Sequence, residues 1–396
     1  MSSNTNTVEY VKKDLPASVN KIGIALLIAG LLIIVFSYFV DNTRSAFNNL
    51  ILLMFLTSIG LGSLFLVAIE YLGGAVWSTP FRRVSEFLAA VLIVVPIIAI
   101  PVYLNLHSIF HWTHTDVVAA DPILSGKSAY LNETFFAVRV VVFFALWLLF
   151  YFLITKNSKK QDETKDQNLT TRNIKLSAVF MPIFALTITF ASIDWIMSLN
   201  PHWFSTIFGV YYFTGSLLAA LAAGTFIIVM LNEKGYLIKG LKKDHYYSLG
   251  ALLFAFTNFW AYIAFSQFML IWYANLPEET VFFMDRLHGS WVYVSIGLIF
   301  IRFIIPYAGL LSQPSKMNAK NLKFFSLWIL FAHFYDLYWL IMPSYSKEGF
   351  VLGWMELGFP LLAVGIIILV FSIKSKKENL IPIGDPKLQR GLDFRL

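Results

Sequence analysis

Residues 22–40 read IGIALLIAGLLIIVFSYFV and contain no charged side chain. A helix needs about 20 mostly apolar residues to cross the hydrocarbon core of a bilayer, and this stretch has that length. Nine further stretches meet the same criterion, at residues 47–72, 84–106, 133–155, 174–199, 205–231, 247–273, 289–311, 322–342 and 351–373. Backbone groups in lipid must bond within their own segment, and these stretches are too long for barrel strands. The sequence therefore predicts an all-α polytopic membrane protein with ten transmembrane helices.

The composition excludes several other classes of protein. Hydrophobic residues make up 58% of the chain and charged residues 13%, against roughly 45–50% and about 25% in soluble domains. These percentages exclude an ordinary soluble globular protein. The 38 Phe, 18 Tyr and 11 Trp residues exclude intrinsic disorder, because so many aromatic side chains drive burial. The chain has no cysteine, which removes iron–sulfur ligation, covalent haem attachment, disulfides and thiol nucleophiles.

The positions of the Lys and Arg residues predict the orientation of the chain. Of the 30, 24 lie on the side of the N-terminus, two lie inside spans (Arg139 and Arg302), and four lie on the opposite side (Arg44, Lys127, Arg286 and Lys347). Because basic residues concentrate on the cytoplasmic side, both termini are predicted to be cytoplasmic.

We expect a cytoplasmic segment 1–21, a membrane domain 22–373 and a cytoplasmic tail 374–396. The first span is expected to be retained rather than cleaved as a signal peptide. The basic net charge is thus a topology signal, and no nucleic-acid partner is predicted.

Short sequence matches predict an internal repeat. The third and seventh spans end in Tyr-Leu-Asn-Leu (103–106) and Tyr-Ala-Asn-Leu (273–276). The fifth and ninth spans each contain an aspartate, Asp194 and Asp336, with a proline seven residues later and a tryptophan nearby. Matching spans are four apart, an even number, so the two copies have the same orientation. This predicts two parallel four-helix bundles related by an axis along the membrane normal, flanked by the first and last spans, at about 47–199 and 205–342.

Ionisable side chains inside the spans are the candidate functional residues, because each costs roughly 2.5–3.5 kcal/mol near the bilayer centre. Their depths define two sets. The cytoplasmic set is Glu70 and Glu86, near Arg82 and Arg83; the outer set is Glu133, Asp194, His333, Asp336 and Glu356. His333 and Asp336 are three residues apart and share one helix face. An imidazole beside a desolvated carboxyl can pass a proton.

These residues predict two proton half-channels that open to opposite faces. We expect Arg139 and Arg302 to neutralise nearby acids, although the sequence does not indicate which acid each arginine contacts. For Glu86 and Glu133 the alternative is that both lie at the membrane interface, solvated, and only flank their spans.

Histidine placement argues against haem and leaves one weak candidate metal site. His333 is the only histidine well inside a span, whereas a bis-histidine haem needs two such ligands. In the outer loop, the spacing of His107, His111 and His114 permits a metal site. The alternative is an interfacial helix at headgroup level. We therefore expect this chain to bind neither a metal nor a cofactor, and no arrangement of side chains suggests hydrolysis.

Four segments together resemble a known family. They are DWIMSLNPHWFSTIFGVYYF (194–213), FHWTH (110–114), DPIL (121–124) and WYANLPEET (272–280). The chain resembles the F subunits of bacterial alternative complex III, a quinol-oxidising respiratory complex, within the NrfD-like (polysulfide-reductase C-like) membrane proteins. The resemblance extends from the first span to the last, and 194–213 is its most specific part.

The resemblance implies a fold of two four-helix bundles with two flanking helices, in the bacterial inner membrane. It implies a subunit without a redox centre that contributes a proton path, and that is not an enzyme alone. The complex passes electrons from menaquinol through iron–sulfur clusters and c-type haems to cytochrome c or a terminal oxidase. The implied partners are a sister NrfD-like subunit with the quinol site, an iron–sulfur subunit, multihaem cytochrome c subunits and a terminal cytochrome oxidase.

Two alternatives from other classes stay open on the sequence. The parallel repeat and the buried acids are also typical of a stand-alone proton-coupled transporter. Prolines that permit helix breaks, such as Pro96 and Pro182, do not occur at matching repeat positions. The second alternative is a quinol-binding subunit, but no quinol-binding motif matches this chain residue by residue.

Overall fold

The computed structural model describes residues 10–396, and in this range it contains helices but no strand. Ten of the helices are long and apolar enough to cross a membrane. They are α1 (Ala17–Val40), α2 (Asn42–Gly73), α3 (Thr79–Leu104), α4 (Glu133–Thr164), α5 (Asn168–Leu199), α6 (Phe208–Glu233), α7 (Lys243–Ala274), α8 (Trp291–Leu310), α9 (Ala319–Ser344) and α10 (Trp354–Lys377). The prediction of an all-α polytopic membrane protein with ten spanning helices is confirmed.

Each helix overlaps one predicted span, and the differences lie at the ends. The clearest case is α4, which was predicted to end at residue 155 but continues to Thr164 through a polar segment. Hydropathy detects only the part of a helix that suits lipid, so a helix that projects into water is predicted too short. Of the predicted N-terminal segment 1–21, residues 1–9 lie outside the described range.

Helices α2 and α6 form the buried centre of the bundle and pack directly against each other. At their crossing, a Cβ atom on Gly62 would lie 2.7 Å from the Ser216 carbonyl oxygen and 2.8 Å from Ala220 Cβ. Only glycine fits at this distance. Close approach of backbones through small residues is the usual way in which helices associate in lipid.

The remaining central helices form two groups around this pair. In one group α2 contacts α3 and α5, and α4 contacts α5; in the other α6 contacts α7 and α9, and α8 contacts α9. The groups meet through α2 against α9 and α6 against α5. The two sets of contacts therefore match helix by helix. The residue bounds of the repeat and its symmetry axis stay predictions.

Helices α1 and α10 flank the two groups and pack against each other along their length. Lys12 Nζ donates to the Lys376 carbonyl oxygen at 2.6 Å, so the chain before α1 and the end of α10 lie together. We call this face of the bundle the terminal side and the other face the opposite side. After α10 the tail folds back over the terminal side and forms a short helix, Leu388–Leu392.

On the opposite side, two long connections cover the ends of the helices. The α3–α4 connection contains short helices at Leu106–Ile109, Thr115–Ala120 and Pro122–Lys127, and the α7–α8 connection contains Pro277–Leu287. The alternative prediction of a single interfacial helix through the three loop histidines is therefore wrong. The chain turns at Phe110 and His114, whose backbones are extended.

Candidate functional site

Four buried side chains form a cluster among α6, α8 and α9. Arg302 Nη2 lies 3.0 Å from His333 Nδ1 and 3.7 Å from Asp336 Oδ2. Tyr211 Oη donates to Asp336 Oδ1 at 2.6 Å. Arg302, His333 and Asp336 are each 1% exposed. We call Arg302, His333, Asp336 and Tyr211 the relay cluster.

The contact with Arg302 determines the tautomer of His333. A guanidinium has donors but no acceptor. His333 Nδ1 must therefore accept the hydrogen bond from Arg302, and it carries no proton. The neutral ring therefore has its proton on Nε2. That nitrogen is buried and has no hydrogen-bond partner among the described residues, and the same holds for Arg302 Nε. The relay cluster thus contains two buried donors for which residues 10–396 provide no acceptor.

Local sequence explains how the three helices bring this cluster together. Arg302 lies in a π-helical turn of α8, Ile299–Ile304, and Pro306 follows. Proline lacks an N–H and its ring crowds the carbonyl four residues earlier, which is that of Arg302. Such π-turns are frequent at functional sites. On α6, a Cβ atom at Gly215 would lie 3.1 Å from Arg302 Nη2, so glycine makes room for the guanidinium.

A second buried pair joins α4 to α5. Arg139 binds Asp194 with two hydrogen bonds, Nε to Oδ2 at 2.7 Å and Nη2 to Oδ1 at 3.1 Å. Tyr130 Oη donates to Asp194 Oδ1 at 2.9 Å, and Arg139 Nη1 donates to the Tyr130 carbonyl oxygen at 2.8 Å. The guanidinium also lies over the Tyr130 ring. Every nitrogen of Arg139 has an acceptor, which is typical of a structural ion pair.

The arginine of the third helix pairs with the aspartate of the fourth helix in both groups. The pairs are Arg139 with Asp194 and Arg302 with Asp336. This agrees with the expectation that the two arginines neutralise nearby acids, and it identifies the acid for each. The Arg139 pair is close and doubly bonded, whereas Arg302 divides its contacts between an aspartate and a histidine.

The other two acids predicted for the outer half lie apart from both clusters. Glu356, at the start of α10, accepts from Arg44 Nε at 2.7 Å and Nη2 at 2.8 Å, and from Asn48 at 3.0 Å. The side chain of Glu133 is 45% exposed and lies 3.3 Å from His107 Nε2. The structure therefore divides the predicted outer set into four separate places, with only His333 and Asp336 together.

On the terminal side, Glu70 and Glu86 meet in one buried network. Arg82 contacts Glu70 at 3.1 Å, Glu86 at 3.3 Å and Asp385 of the tail at 2.7 Å. The neighbouring Arg83 contacts Glu86 at 2.8 Å and Asp162 of α4 at 2.7 Å. Glu86 is 2% exposed, so it is not solvated at an interface as the alternative for it supposed. We call Glu70, Arg82, Arg83, Glu86, Asp162 and Asp385 the terminal-side cluster.

Two cavities and a group of hydroxyls lie between the clusters and the surfaces. A cavity of about 210 Å³ is lined by Glu70 and Arg82 and reaches Thr225 of α6. Nearer the relay cluster, Ser216 Oγ lies 3.0 Å from Ser58 Oγ, which lies 3.1 Å from Tyr212 Oη. A cavity of about 580 Å³, lined largely by apolar side chains, lies between α7 and α8 beside Tyr211.

Arg286 lines the larger cavity and has no acidic partner within the described residues. Its nitrogens donate to three carbonyl oxygens, those of Phe282, Trp339 and Leu340, at 2.7–3.1 Å. Burial lowers the pKa of Arg286 to about 9, so the guanidinium stays charged at neutral pH. Two of these oxygens belong to the last turns of α9, where a positive charge is favourable. Arg286 thus fixes the end of the helix that carries Asp336.

The loop histidines do not converge on a common point. His114 Nε2 lies 2.9 Å from the carbonyl oxygen of His107, and His107 lies beside Glu133. Across residues 10–396, no group of three or more His, Cys, Asp or Glu side chains is arranged to hold a metal ion.

Sequence reasoning missed several members of these sites. Tyr211 and Tyr130 were overlooked because a tyrosine in an aromatic-rich chain gives no signal, although Tyr211 lies within the segment 194–213. Asp162 and Asp385 lie in polar stretches next to spans, where acids are usually solvated. Only the fold brings them to Arg83 and Arg82.

In comparisons with known proteins, no protein-family model matches the chain and no curated protein matches it significantly.

We predict that Asp194→Asn destabilises the protein by about 3–5 kcal/mol, because Arg139 would remain buried without a counter-charge. Thermal unfolding of the purified protein in detergent measures the change. The matched control is Glu133→Gln, which removes a half-exposed partner of His107 and is expected to cost about 1 kcal/mol or less. Equal stability of the two variants would show that the Arg139–Asp194 pair does not hold α4 to α5.

Proposed function

We propose that the chain is an integral membrane subunit that conducts protons within a respiratory quinol:acceptor oxidoreductase and carries no redox centre itself. The relay cluster is the observation that carries the proposal. It contains a histidine in contact with Arg302 and a carboxyl that accepts a hydrogen bond from a phenol, all buried in the second helix group. Ionisable side chains inside membrane helices are rare and mark proton or ion paths in many membrane proteins.

The geometry of Arg302 supports two charge states of the cluster. Its Nη2 lies nearer to His333 Nδ1 than to Asp336 Oδ2, at 3.0 Å against 3.7 Å. When the guanidinium turns from His333 to the ionised Asp336, the Nδ1 lone pair becomes free to take up a proton. When Asp336 takes the proton, the guanidinium returns to neutral His333. Tyr211, bonded to the carboxyl, provides the next hydroxyl toward the opposite side.

Polar groups on either side of the relay cluster support a path across the membrane. On the terminal side, the cavity beside Glu70 reaches Thr225, and Ser216, Ser58 and Tyr212 follow along the α2–α6 contact. Ser216 is next to Gly215, which lies against Arg302 and His333. Water in the cavity and these hydroxyls would carry protons between Glu70 and His333.

The proposed location is the bacterial cytoplasmic membrane, with both termini in the cytoplasm. The concentration of Lys and Arg residues on the terminal side supports this orientation. Protons would then enter at the terminal-side cluster and leave past Tyr211.

The proposed partners come from the resemblance to F subunits of alternative complex III. They are a sister NrfD-like subunit with the quinol site, an iron–sulfur subunit, multihaem cytochrome c subunits and a terminal oxidase. Menaquinol, iron–sulfur clusters and c-type haems would thus belong to the partners. Absence of cysteine from the sequence supports a subunit that holds no cluster or covalently attached haem itself.

Membership of such a complex predicts what purifies with the chain. Extraction in mild detergent should yield multihaem and iron–sulfur proteins by mass spectrometry and a c-type haem spectrum. The chain purified alone in harsher detergent should show no haem bands. The chain could instead purify as a single polypeptide and couple proton movement to a solute gradient in liposomes. That result would identify a transporter.

For the relay itself, we predict that Asp336→Asn lowers proton translocation per electron while the complex still assembles, because Arg302 keeps its contact with His333. Tyr211→Phe keeps all charges and should reduce translocation less, since it removes one hydroxyl. Tyr335→Phe is the matched control, because among residues 10–396 its hydroxyl bonds the Val294 carbonyl oxygen and no group of the relay cluster. Reconstituted complex with a menaquinol analogue and an internal pH dye provides the measurement. Unchanged stoichiometry in an assembled Asp336→Asn complex would remove the relay role.

A further inference from the structure

Arg82 and Arg83 are surrounded by more carboxylates than they neutralise. Four acids contact the two guanidinium groups within 3.3 Å: Glu70, Glu86, Asp162 and Asp385. Glu378 lies farther away, 3.9 Å from Arg83, and has its own cation in Lys374 at 3.6 Å. If every group were ionised, the cluster would carry two more negative than positive charges. The side chains of all four acids are at most 8% exposed, and an excess of charge is costly when it is buried away from bulk water.

The C-terminal tail creates part of this excess. Its residue Asp385 is buried against Arg82, and the tail reaches that position through two close glycine contacts. A Cβ atom on Gly384 would lie 1.9 Å from the Gln161 carbonyl oxygen, and one on Gly391 would lie 2.6 Å from the Val76 carbonyl oxygen. His245 of α7 also bonds the Gly391 carbonyl oxygen at 2.9 Å. The tail is thus docked on α3, α4 and α7 with Asp385 inside.

Two buried polar groups in or beside the same cluster lack hydrogen-bond partners among the described residues. Tyr71 Oη and Arg83 Nε have no hydrogen-bond partner among residues 10–396, although both side chains are at most 3% exposed. The Tyr71 ring lies under the Arg82 guanidinium, 4.5 Å from its centre. Buried donors without a protein acceptor are usually satisfied by bound water. These two groups indicate room for water among the carboxylates.

We propose that the terminal-side cluster binds an excess proton at neutral pH, shared among its carboxylates and their water, and that the tail creates this site by supplying Asp385. Interacting carboxylates that crowd one region titrate together, and one of them keeps its proton to a higher pH. The inference rests on the proposed proton path and names the proton-holding site at its terminal-side entrance. The cavity beside Glu70 and Arg82 connects this site to α6.

The other titratable groups on the elements around the cluster do not balance the excess. Lys374 is occupied by Glu378, and Lys387 of the tail approaches Asp385 through its backbone N–H at 2.8 Å. The remaining titratable neighbours are Tyr10, Tyr71, Tyr151 and His245. None of these adds a fixed positive charge at the carboxylates.

Infrared difference spectroscopy during a pH titration tests the inference on the full chain, with its retained subunits, in lipid nanodiscs. The wild-type protein should show the C=O stretch of protonated carboxyl groups at pH 7, with the expected shift in D₂O. Asp385→Asn removes one negative charge, so the remaining acids should ionise more readily. The band should then weaken at pH 7, and its midpoint should move down by about one pH unit or more.

Asp393→Asn is the matched control, since Asp393 is an exposed acid in the same tail. It should leave the band and its midpoint unchanged. Asp162→Asn removes a different carboxylate of the cluster and should reproduce the effect of Asp385→Asn, which keeps the test valid if the tail variant does not fold. An unchanged midpoint in both cluster variants, or no band in the wild type at pH 7, overturns the proposal.

The outcome is separable from that of the proposed function. If the band responds as expected while Asp336→Asn leaves translocation unchanged, the proton-holding site exists but the transmembrane path does not. If Asp336→Asn lowers translocation while the band is unchanged in both cluster variants, the proton path is supported but this proton-holding site is not.

Discussion

An ionised side chain in a lipid-embedded bundle needs a partner, and this requirement organises the helices. Arg139 joins α4 to α5, Arg302 joins α8 to α9, and Arg44 joins α2 to α10 through Glu356. On the opposite side, Arg286 donates to carbonyl oxygens at the end of α9. Lys127 donates to the carbonyl oxygen of Pro201, which follows α5. Within the spanning helices, such a cation satisfies groups that lipid would leave unpaired. The charges therefore fix helix positions as specifically as the glycine contacts do.

Two equivalent arginine–aspartate pairs differ in how completely their hydrogen bonds are satisfied, and the proposed function rests on that difference. The Arg139–Asp194 pair is doubly bonded and supported by Tyr130, so a proton there would break contacts without gaining any. The relay cluster has a longer Arg302–Asp336 distance, a neutral histidine and two donors without acceptors in the described chain. A polar network that is incompletely satisfied is costly, and the proposed proton exchange would account for that cost.

Much of the fold followed from the sequence, because length and hydropathy suffice to locate spans in lipid. The shared face of His333 and Asp336 was also predictable, since a separation of three residues sets it. Contacts between helices were not predictable from one sequence: which acid each arginine binds depends on packing. Asp162 and Asp385 were missed for a related reason. A helix that extends beyond the membrane and a tail that folds back onto it bury residues which sequence pattern assigns to water.

The central claim is that the relay cluster holds water through which protons move. A density map of the chain in lipid nanodiscs, at a resolution that shows ordered water, tests it most directly. The account predicts water within hydrogen-bonding distance of His333 Nε2 or Arg302 Nε, continuing toward Ser216. Density that shows these atoms dry and enclosed by apolar side chains or acyl tails would contradict it.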